Sequence, residues 1–221
     1  MESYYTGKRA TSYNRIWKTF SAKTLTATCS VIDLTQLQVV ARKHGKYPRI
    51  LDVACGTGLL LQQLSLLIPQ AELYGVDASQ DMLFQARLLL ENYPYVYFTQ
   101  ASLKDGEMVG LPYEPGSFDL ITCTNALHYL DNPAAVLRGL AQLLVPQGQM
   151  VIEDYARRTF PFPWRLFTCF MKHVDPQYKR AYTLKEAQTL CQVAGLQVTT
   201  TRAFSIDLLW QGWVIQAHCL F

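Results

Sequence analysis

The sequence predicts an α/β fold built on a parallel β-sheet. From residue 49 onward, short apolar runs alternate regularly with helical patterns, which selects parallel strands joined by right-handed crossovers. The first apolar run, Arg49 to Val53, leads into a glycine turn at Gly56 and Gly58 that opens a Leu-rich helix. Half of the 221 residues are hydrophobic and 17% are charged, a balance that supplies a large core and speaks against disorder.

Residues 1 to 45 are expected to be helical after a flexible start. Tyr13, Ile16, Trp17 and Phe20 recur at helical spacing while Arg15, Lys18 and Lys23 face elsewhere, and a second pattern, Ile32, Leu34, Leu37 and Val40, ends at Gly45. Two helices covering one edge of the sheet follow from this. After the first strand, Leu60, Leu61, Leu64, Leu67 and Ile68 form one helical face, stopped by Pro69. Glu72 to Asp77 is the second strand, and Ser79 is placed to cap a helix through Met82, Leu83, Ala86 and Leu90.

Tyr95 to Thr99 and Phe118 to Thr124 are the third and fourth strands. Asn132 caps and Pro133 starts a helix with Val136, Leu137, Leu140, Leu143 and Leu144 inward; Pro146-Gln147-Gly148 turns it into a fifth strand, Gln149 to Asp154. The tail breaks the alternation. Thr183-Leu-Lys-Glu186 is a capping box opening a helix that ends at Ala194-Gly195, and residues 196 to 203 and 208 to 220 then form two strands without a helix between them. Such a pair is antiparallel.

The glycine turn indicates the ligand. Gly56 and Gly58 expose backbone N–H groups at a helix N-terminus, where a nucleotide-type ligand approaches the main chain closely. A dinucleotide fingerprint needs a third glycine where Leu61 stands. Asp52 beside the turn repels a pyrophosphate and suits a ligand carrying an ammonium and a sulfonium.

Asp52-Val-Ala-Cys-Gly-Thr-Gly58 resembles motif I of class I S-adenosylmethionine (SAM) dependent methyltransferases, and Tyr74-Gly-Val-Asp77-Ala-Ser-Gln-Asp-Met82 resembles the second motif. Leu111-Pro-Tyr113 with Ser117 to Tyr129 is similar to the fourth-strand stretch of the quinone-biosynthesis branch, and the match runs in order over roughly residues 49 to 155. The resemblance implies a three-layer Rossmann-like sandwich whose seven-stranded, mostly parallel sheet has the order 3-2-1-4-5-7-6 with the last strand reversed. It also implies a single domain over 1–221, with an N-terminal helical cover at 1–45 and an aromatic lid inserted at 156–182.

In such a sheet the ligand lies beyond the carboxyl ends of the strands, where strand order reverses. The expected cofactor contacts are Asp52, Ala54, Gly56, Thr57 and Gly58 after strand one, then Asp77, which accepts both ribose hydroxyls, with Ala78 and Met82 on the adenine. Ser102 and Leu103 follow strand three, and Asn125 and Ala126 strand four. The family commonly places an Asp where Ser102 stands, so the adenine amino contact departs from the pattern here. Such N-terminal segments often fold over the cofactor, which makes Tyr4, Tyr5, Tyr13 and Trp17 candidates for lining the site.

His128 is the sharpest catalytic candidate, as an imidazole able to take a proton from the acceptor; Tyr13 and Asp154 are further candidates, with Tyr129 and Tyr155 as orienters. The stretch from Tyr155 to His173, dense in Phe, Trp and Met, reads as a lid on an apolar or aromatic acceptor or as a helix packed on the sheet. Arg157, Arg158, Arg165 and Lys172 beside those aromatics leave open a helix lying on a membrane surface.

The expected activity is methyl transfer from SAM, with S-adenosylhomocysteine as product, to a small acceptor. The alternatives are a SAM-binding protein without transfer and a methyltransferase acting on RNA or protein. A net charge of +3 without long basic runs disfavours nucleic acid. Six scattered cysteines without close pairs fit a reducing, cytoplasmic setting and no metal. No apolar run is long enough to span a bilayer and no signal peptide is recognised at the start, so stable membrane anchoring is not expected. A monomer or homodimer is the expected assembly.

Overall fold

The computed structural model describes residues 5–43, 45–103, 111–157, 163–208 and 210–219. Seven strands form one sheet in the order β3-β2-β1-β4-β5-β7-β6. They are β1 (Arg49–Val53), β2 (Glu72–Asp77), β3 (Val96–Gln100), β4 (Phe118–Thr124), β5 (Leu144–Arg157), β6 (Leu196–Ser205) and β7 (Trp210–Cys219). Strands β1 to β5 pair in parallel, whereas β7 runs antiparallel to both β5 and β6. The topology is the expected one, with the reversed strand at the position named from the sequence.

Alternation along β1 separates two cores. Leu51 and Val53 face α6 (Pro133–Gln142) and α8 (Leu184–Val193), together with Phe118, Ile121 and Ile152. Ile50 faces the other side with Leu120 and Val151, under α4 (Leu59–Leu67) and Leu83 of α5 (Gln80–Leu89). Because both faces are covered, the central strands are apolar throughout. Residues beyond their carboxyl ends meet at the junction between β1 and β4, where the order reverses.

Local chemistry fixes the helix starts as read. Ser79 accepts from the Met82 N–H and caps α5, Asn132 accepts from the Ala135 N–H and caps α6, and Thr183 with Glu186 completes the capping box of α8. Gly58, the N-cap of α4, has φ +80°, and a Cβ there would lie 3.1 Å from the Ala86 Cβ. Gly75 is needed for a different reason: a Cβ would meet the Phe98 ring at 2.7 Å and the Cys55 sulfur at 2.9 Å, so only glycine lets β2 lie under the turn.

Several boundaries differ from the sequence expectation. The N-terminal region is three helices, α1 (Lys8–Ile16), α2 (Lys18–Val31) and α3 (Leu34–Lys43). Trp17 (φ −97°, ψ 14°) breaks the first pattern, and Ile32 is the extended C-cap of α2, not part of α3. These helices pack in three places: α1 on α5, α2 across β5, β6 and β7, and α3 on β4 and β5. Leu67 is 47% exposed while Ile68 is buried, because α4 ends between them.

Strand β5 begins at Leu144 rather than Gln149; the turn residues 146–148, with Gln147 at φ +67°, lie inside it as an irregularity beside Phe118. Strand β3 is shifted by one residue, and β6 runs to Ser205. The described part of the segment expected as a lid contains α7 (Trp164–Val174). Tyr4 and Arg158 lie outside the described residues, as do the side chains of Arg157 and Arg165. Among the described residues no helix is long and apolar enough to cross a membrane.

Replacing Gly58 with Ala should cost about 1–3 kcal/mol, from the left-handed backbone and the contact with Ala86. Urea unfolding measures it; a loss below about 0.5 kcal/mol would show that the turn relaxes freely.

Candidate functional site

Beyond the carboxyl ends of β1, β2 and β4 lies a cavity of about 680 Å³ that reaches from the glycine turn to α7. The glycine end is shaped by backbone in the left-handed region: Ala54 at φ +58°, Gly56 at +54° and Gly58 at +80°. Asp77, at the end of β2, holds this turn. Its Oδ2 accepts from the Gly56 N–H at 2.9 Å and its Oδ1 from the Ser79 N–H at 2.8 Å. Burial nevertheless raises its pKa, against the lowering effect of those N–H groups.

Asp52 is 1% exposed. Its Oδ1 accepts from the Thr122 hydroxyl on β4 at 2.7 Å, and its Oδ2 has no hydrogen-bond partner. Burial pushes this carboxyl up to about 7, with Thr122 pulling it down and Asp77 adding to the rise. Asn125, at φ +51°, donates its side-chain N–H to Thr24 at 3.3 Å and leaves its buried Oδ1 without a partner. Two carboxylates and an orphaned amide oxygen thus converge on one end of the cavity. The described residues lining the cavity include one Lys or Arg, Lys179, which bonds to Asp131 at 2.8 Å. This donor set repels phosphate and fits a ligand with a cationic head and ribose hydroxyls.

Most of the residues singled out in the sequence come together here. Asp52, Ala54, Gly56, Thr57, Asp77, Ala78, Met82, Ser102, Leu103, Asn125 and Ala126 all line the cavity, as do His128 and Tyr13. Gly58 does not; its role is steric, against α5. Asp154 does not line it either, because three donors occupy its carboxylate: His128 N at 3.0 Å, His128 Nδ1 at 2.8 Å and Tyr155 N at 2.8 Å. Asp154 is therefore a partner of His128, not a group facing a ligand.

The His128 imidazole, 3% exposed, sits between Tyr129 and Tyr155, with ring centroids at 3.9 and 4.5 Å. With Nδ1 donating to the Asp154 carboxylate, a neutral ring leaves Nε2 as its accepting nitrogen. Burial raises the pKa of Tyr13, Tyr129 and Tyr155 far above the phenol range, so each stays protonated and donates rather than abstracts. For Tyr13 this favours an orienting role over that of a base.

One acid of the site, Asp175, had no signal in the sequence. Tyr129 Oη donates to Asp175 Oδ2 at 2.8 Å and meets the Tyr5 hydroxyl at 3.2 Å. Asp175 follows α7 in a segment that reads only as aromatic, and an Asp-Pro at a helix end reads as a stop. The N-terminal segment is tied over the cavity at three points: the Ser79 hydroxyl donates to the Tyr5 carbonyl at 2.5 Å, the Gly7 N–H to Asp81 Oδ2 at 2.6 Å, and the Thr57 hydroxyl to Asn14 Oδ1 at 2.6 Å. Of the aromatic candidates, Tyr5, Tyr13 and Trp17 line the cavity, joined by Phe20 and Trp210.

Residues 50–148 match a family model described as a methyltransferase domain. The chain is 32% identical over 146 residues to a demethylmenaquinone methyltransferase of Lactococcus lactis, covering 64% of this chain and 56% of that protein. It is 25% identical over 174 residues to a ubiquinone biosynthesis O-methyltransferase of Neisseria meningitidis, covering 76% of this chain and 71% of that one. An uncharacterised Synechococcus protein is 38% identical over 112 residues, 49% of this chain and only 26% of its own length. This chain therefore spans about a quarter of the Synechococcus protein and a little over half of the Lactococcus one. Among solved structures, a putative methyltransferase from Bacillus halodurans superposes with a TM-score of 0.65 at 18% identity, over 84% of this chain and 97% of that one. A phosphoethanolamine N-methyltransferase from Haemonchus contortus, in complex with SAM, gives 0.69 at 15% identity, over 97% of this chain and 57% of that one. At these identities the structures establish a shared fold.

Asp52 gives the free protein a pH signature. Its raised pKa means that the folded state holds a proton that the unfolded chain releases near pH 4, so this contribution to stability is full below about pH 4 and lost as pH rises through about 7. Melting temperatures of the ligand-free protein should fall across that window. Asp52→Asn, which keeps the acceptor for Thr122, should flatten the fall; an unchanged slope would mean that Asp52 titrates normally.

Proposed function

The chain belongs to the class I SAM-dependent methyltransferase family, whose domain it carries over residues 50–148, and from that premise we propose that it methylates a small apolar or aromatic acceptor. The observation that carries this reading is the division of one cavity into two chemistries: two carboxylates at the glycine turn, of which Asp52 keeps one oxygen without a partner, and a His–Asp pair among aromatic rings at the other end.

SAM, the cofactor, supplies a methyl group on a sulfonium, which is activated for in-line displacement. Asp52 and Asn125 meet its cationic amino-acid end through the oxygens that otherwise lack partners. Asp77 accepts from the ribose hydroxyls, and Ala78, Met82, Ser102 and Leu103 enclose the adenine. With Ser102 where the family commonly has Asp, its hydroxyl and the Leu103 N–H are the local polar groups for the base.

On the acceptor side, His128 Nε2 takes the proton of an acidic hydroxyl or carbon. Asp154 holds the imidazole in the required tautomer and balances its charge once it is protonated. Tyr129, fixed by Asp175, orients a polar substituent of the acceptor. Tyr5, Tyr13 and Trp17 of the N-terminal segment shut out water, so alignment supplies much of the rate, up to about 7–11 kcal/mol for well-oriented groups. The names of the Lactococcus and Neisseria relatives support an acceptor related to quinones.

The test is formation of S-adenosylhomocysteine from SAM with a panel of phenols and quinols, against RNA and protein as controls. Asp77→Ala should weaken SAM binding by about tenfold or more, and so should Asp77→Asn, which keeps one acceptor for the turn, with melting curves checking that each variant folds. Asp154→Asn should lower kcat by about 10² or more with little change in SAM affinity. Binding of SAM without turnover on any acceptor would make the chain a SAM-binding protein instead, and turnover confined to RNA or protein would exclude a small acceptor.

A further inference from the structure

Glu153 on β5 is fully buried, and neither of its side-chain oxygens has a hydrogen-bond partner. Val151, two residues earlier, and Val214, its partner on β7, both belong to the core on the α4 side of the sheet. Alternation therefore turns the Glu153 side chain to that face, where α2 packs on β5 and β7.

No donor reaches it from there. α2 turns Thr24 and Thr28 inward, both fully buried, but their hydroxyls donate to the Ser21 and Thr24 carbonyls of the same helix. The nearby cations are engaged elsewhere: Lys23 of α2 donates to the Ile206 carbonyl, and Arg202 of β6 to the Ser30 hydroxyl. The titratable groups that share its surroundings are Asp154 on the same strand, Cys123 of β4 and Tyr13 of α1, none of them a cation. An ionised Glu153 would hold its charge without a counterion, a costly state that a bound proton removes.

The neighbouring orphan is Asn125, which lines the large cavity. Its N–H donates to the Glu153 carbonyl at 2.9 Å. Burial raises the Glu153 pKa and Asp154 adds to the rise, while the same Asn125 N–H pulls it down, which puts the carboxyl beside this residue. The Asn125 amide is bonded at one end only: Nδ2 donates to Thr24 Oγ1 at 3.3 Å, and the buried Oδ1 has no donor. Two unpaired acceptors side by side become one hydrogen bond when a proton lies between them, and Glu153 is the group able to carry it. A carboxylate would attract Nδ2 instead and turn the amide end for end.

We propose that Glu153 is a positioning residue acting as a neutral acid: its O–H donates to Asn125 Oδ1 and locks the amide with its oxygen, not its NH2, toward the cationic end of the cofactor. A carbonyl oxygen has two lone pairs, so Oδ1 accepts from Glu153 and from the ligand together. The inference rests on the methyltransferase reading for the ligand, whereas the proton on Glu153 does not depend on it.

Infrared difference spectra of the ligand-free full chain at pH 8, wild type minus Glu153→Gln, read that proton directly. Asp52, with its pKa of about 7, is mostly ionised there, and the wild type should show the C=O stretch of a protonated carboxylic acid that the variant lacks. Calorimetry of SAM binding reads the positioning. Glu153→Leu, which removes the donor, should weaken SAM about tenfold or more, and Glu153→Gln, which keeps one, should bind within about threefold of wild type. Melting curves identify a variant that fails to fold; if Glu153→Leu does, the spectrum and Glu153→Gln decide. The proposal is overturned if the acid band is missing, if Glu153→Gln weakens SAM about tenfold or more, or if a folded Glu153→Leu binds SAM as tightly as wild type. Failure of the methyltransferase reading has a separate signature: the acid band stands, but the wild type itself does not bind SAM.

Discussion

The constraint on which the site depends is a pair of carboxylates held at the glycine turn without a cation of their own. Asp52 is buried with one oxygen unpaired, and Asp77 spends both oxygens on N–H groups of the turn and of α5. A buried carboxylate without a partner is costly, and the protein meets that cost by raising the pKa of Asp52 to about 7 rather than by supplying an Arg or Lys. The missing cation is then the ligand's to provide. This one arrangement excludes a dinucleotide and favours an ammonium-bearing adenosyl cofactor. It also requires Gly56 to present its N–H to Asp77 and Gly75 to leave room for Cys55 beneath.

The other end of the cavity obeys a different rule. There the polar groups are hydrogen-bonded in pairs, His128 with Asp154 and Tyr129 with Asp175, among Tyr155, Phe20, Trp17 and Trp210, with the Lys179–Asp131 ion pair beside them. The N-terminal segment joins the two ends. Tyr5 contacts Tyr129 at the aromatic end and Ser79 at the glycine-turn end, so one residue braces both ends of the cavity. Glu153, buried without partners for either oxygen and pushed well above the usual carboxylate range by burial and by Asp154, lies behind Asn125 and off the cavity surface.

The sheet was legible in the sequence because each signal was local. Glycine after an apolar run, Ser79 and Asn132 before helical patterns, and the Thr183–Glu186 box each fix one junction, and strand alternation fixes the rest. The convergence of the glycine-turn residues on one cavity was legible for the same reason, since they follow strand ends in order. What was missed depends on tertiary contact. Trp17 fits a helical stripe yet interrupts it, and Asp175 is an acid in an aromatic segment whose only distinction is that Tyr129, 46 positions away, points at it. Asp154 sits at a strand end like Asp52 and Asp77, but β5 turns it toward His128. Gly58 belongs to the motif while its neighbour is α5.

The central claim, that Asp52 awaits a cation from the ligand, is tested most directly by calorimetry of SAM binding between about pH 5 and 6.5, below the titration of the cofactor's own amine. Repeating it in buffers of different ionisation enthalpy counts the protons released. A bound cation lowers the Asp52 pKa from about 7, so SAM affinity should rise with pH across this range, with release of up to about one proton at the acid end, and Asp52→Asn should remove both effects. Binding of the wild-type protein that is independent of pH, with no proton released, would contradict the account.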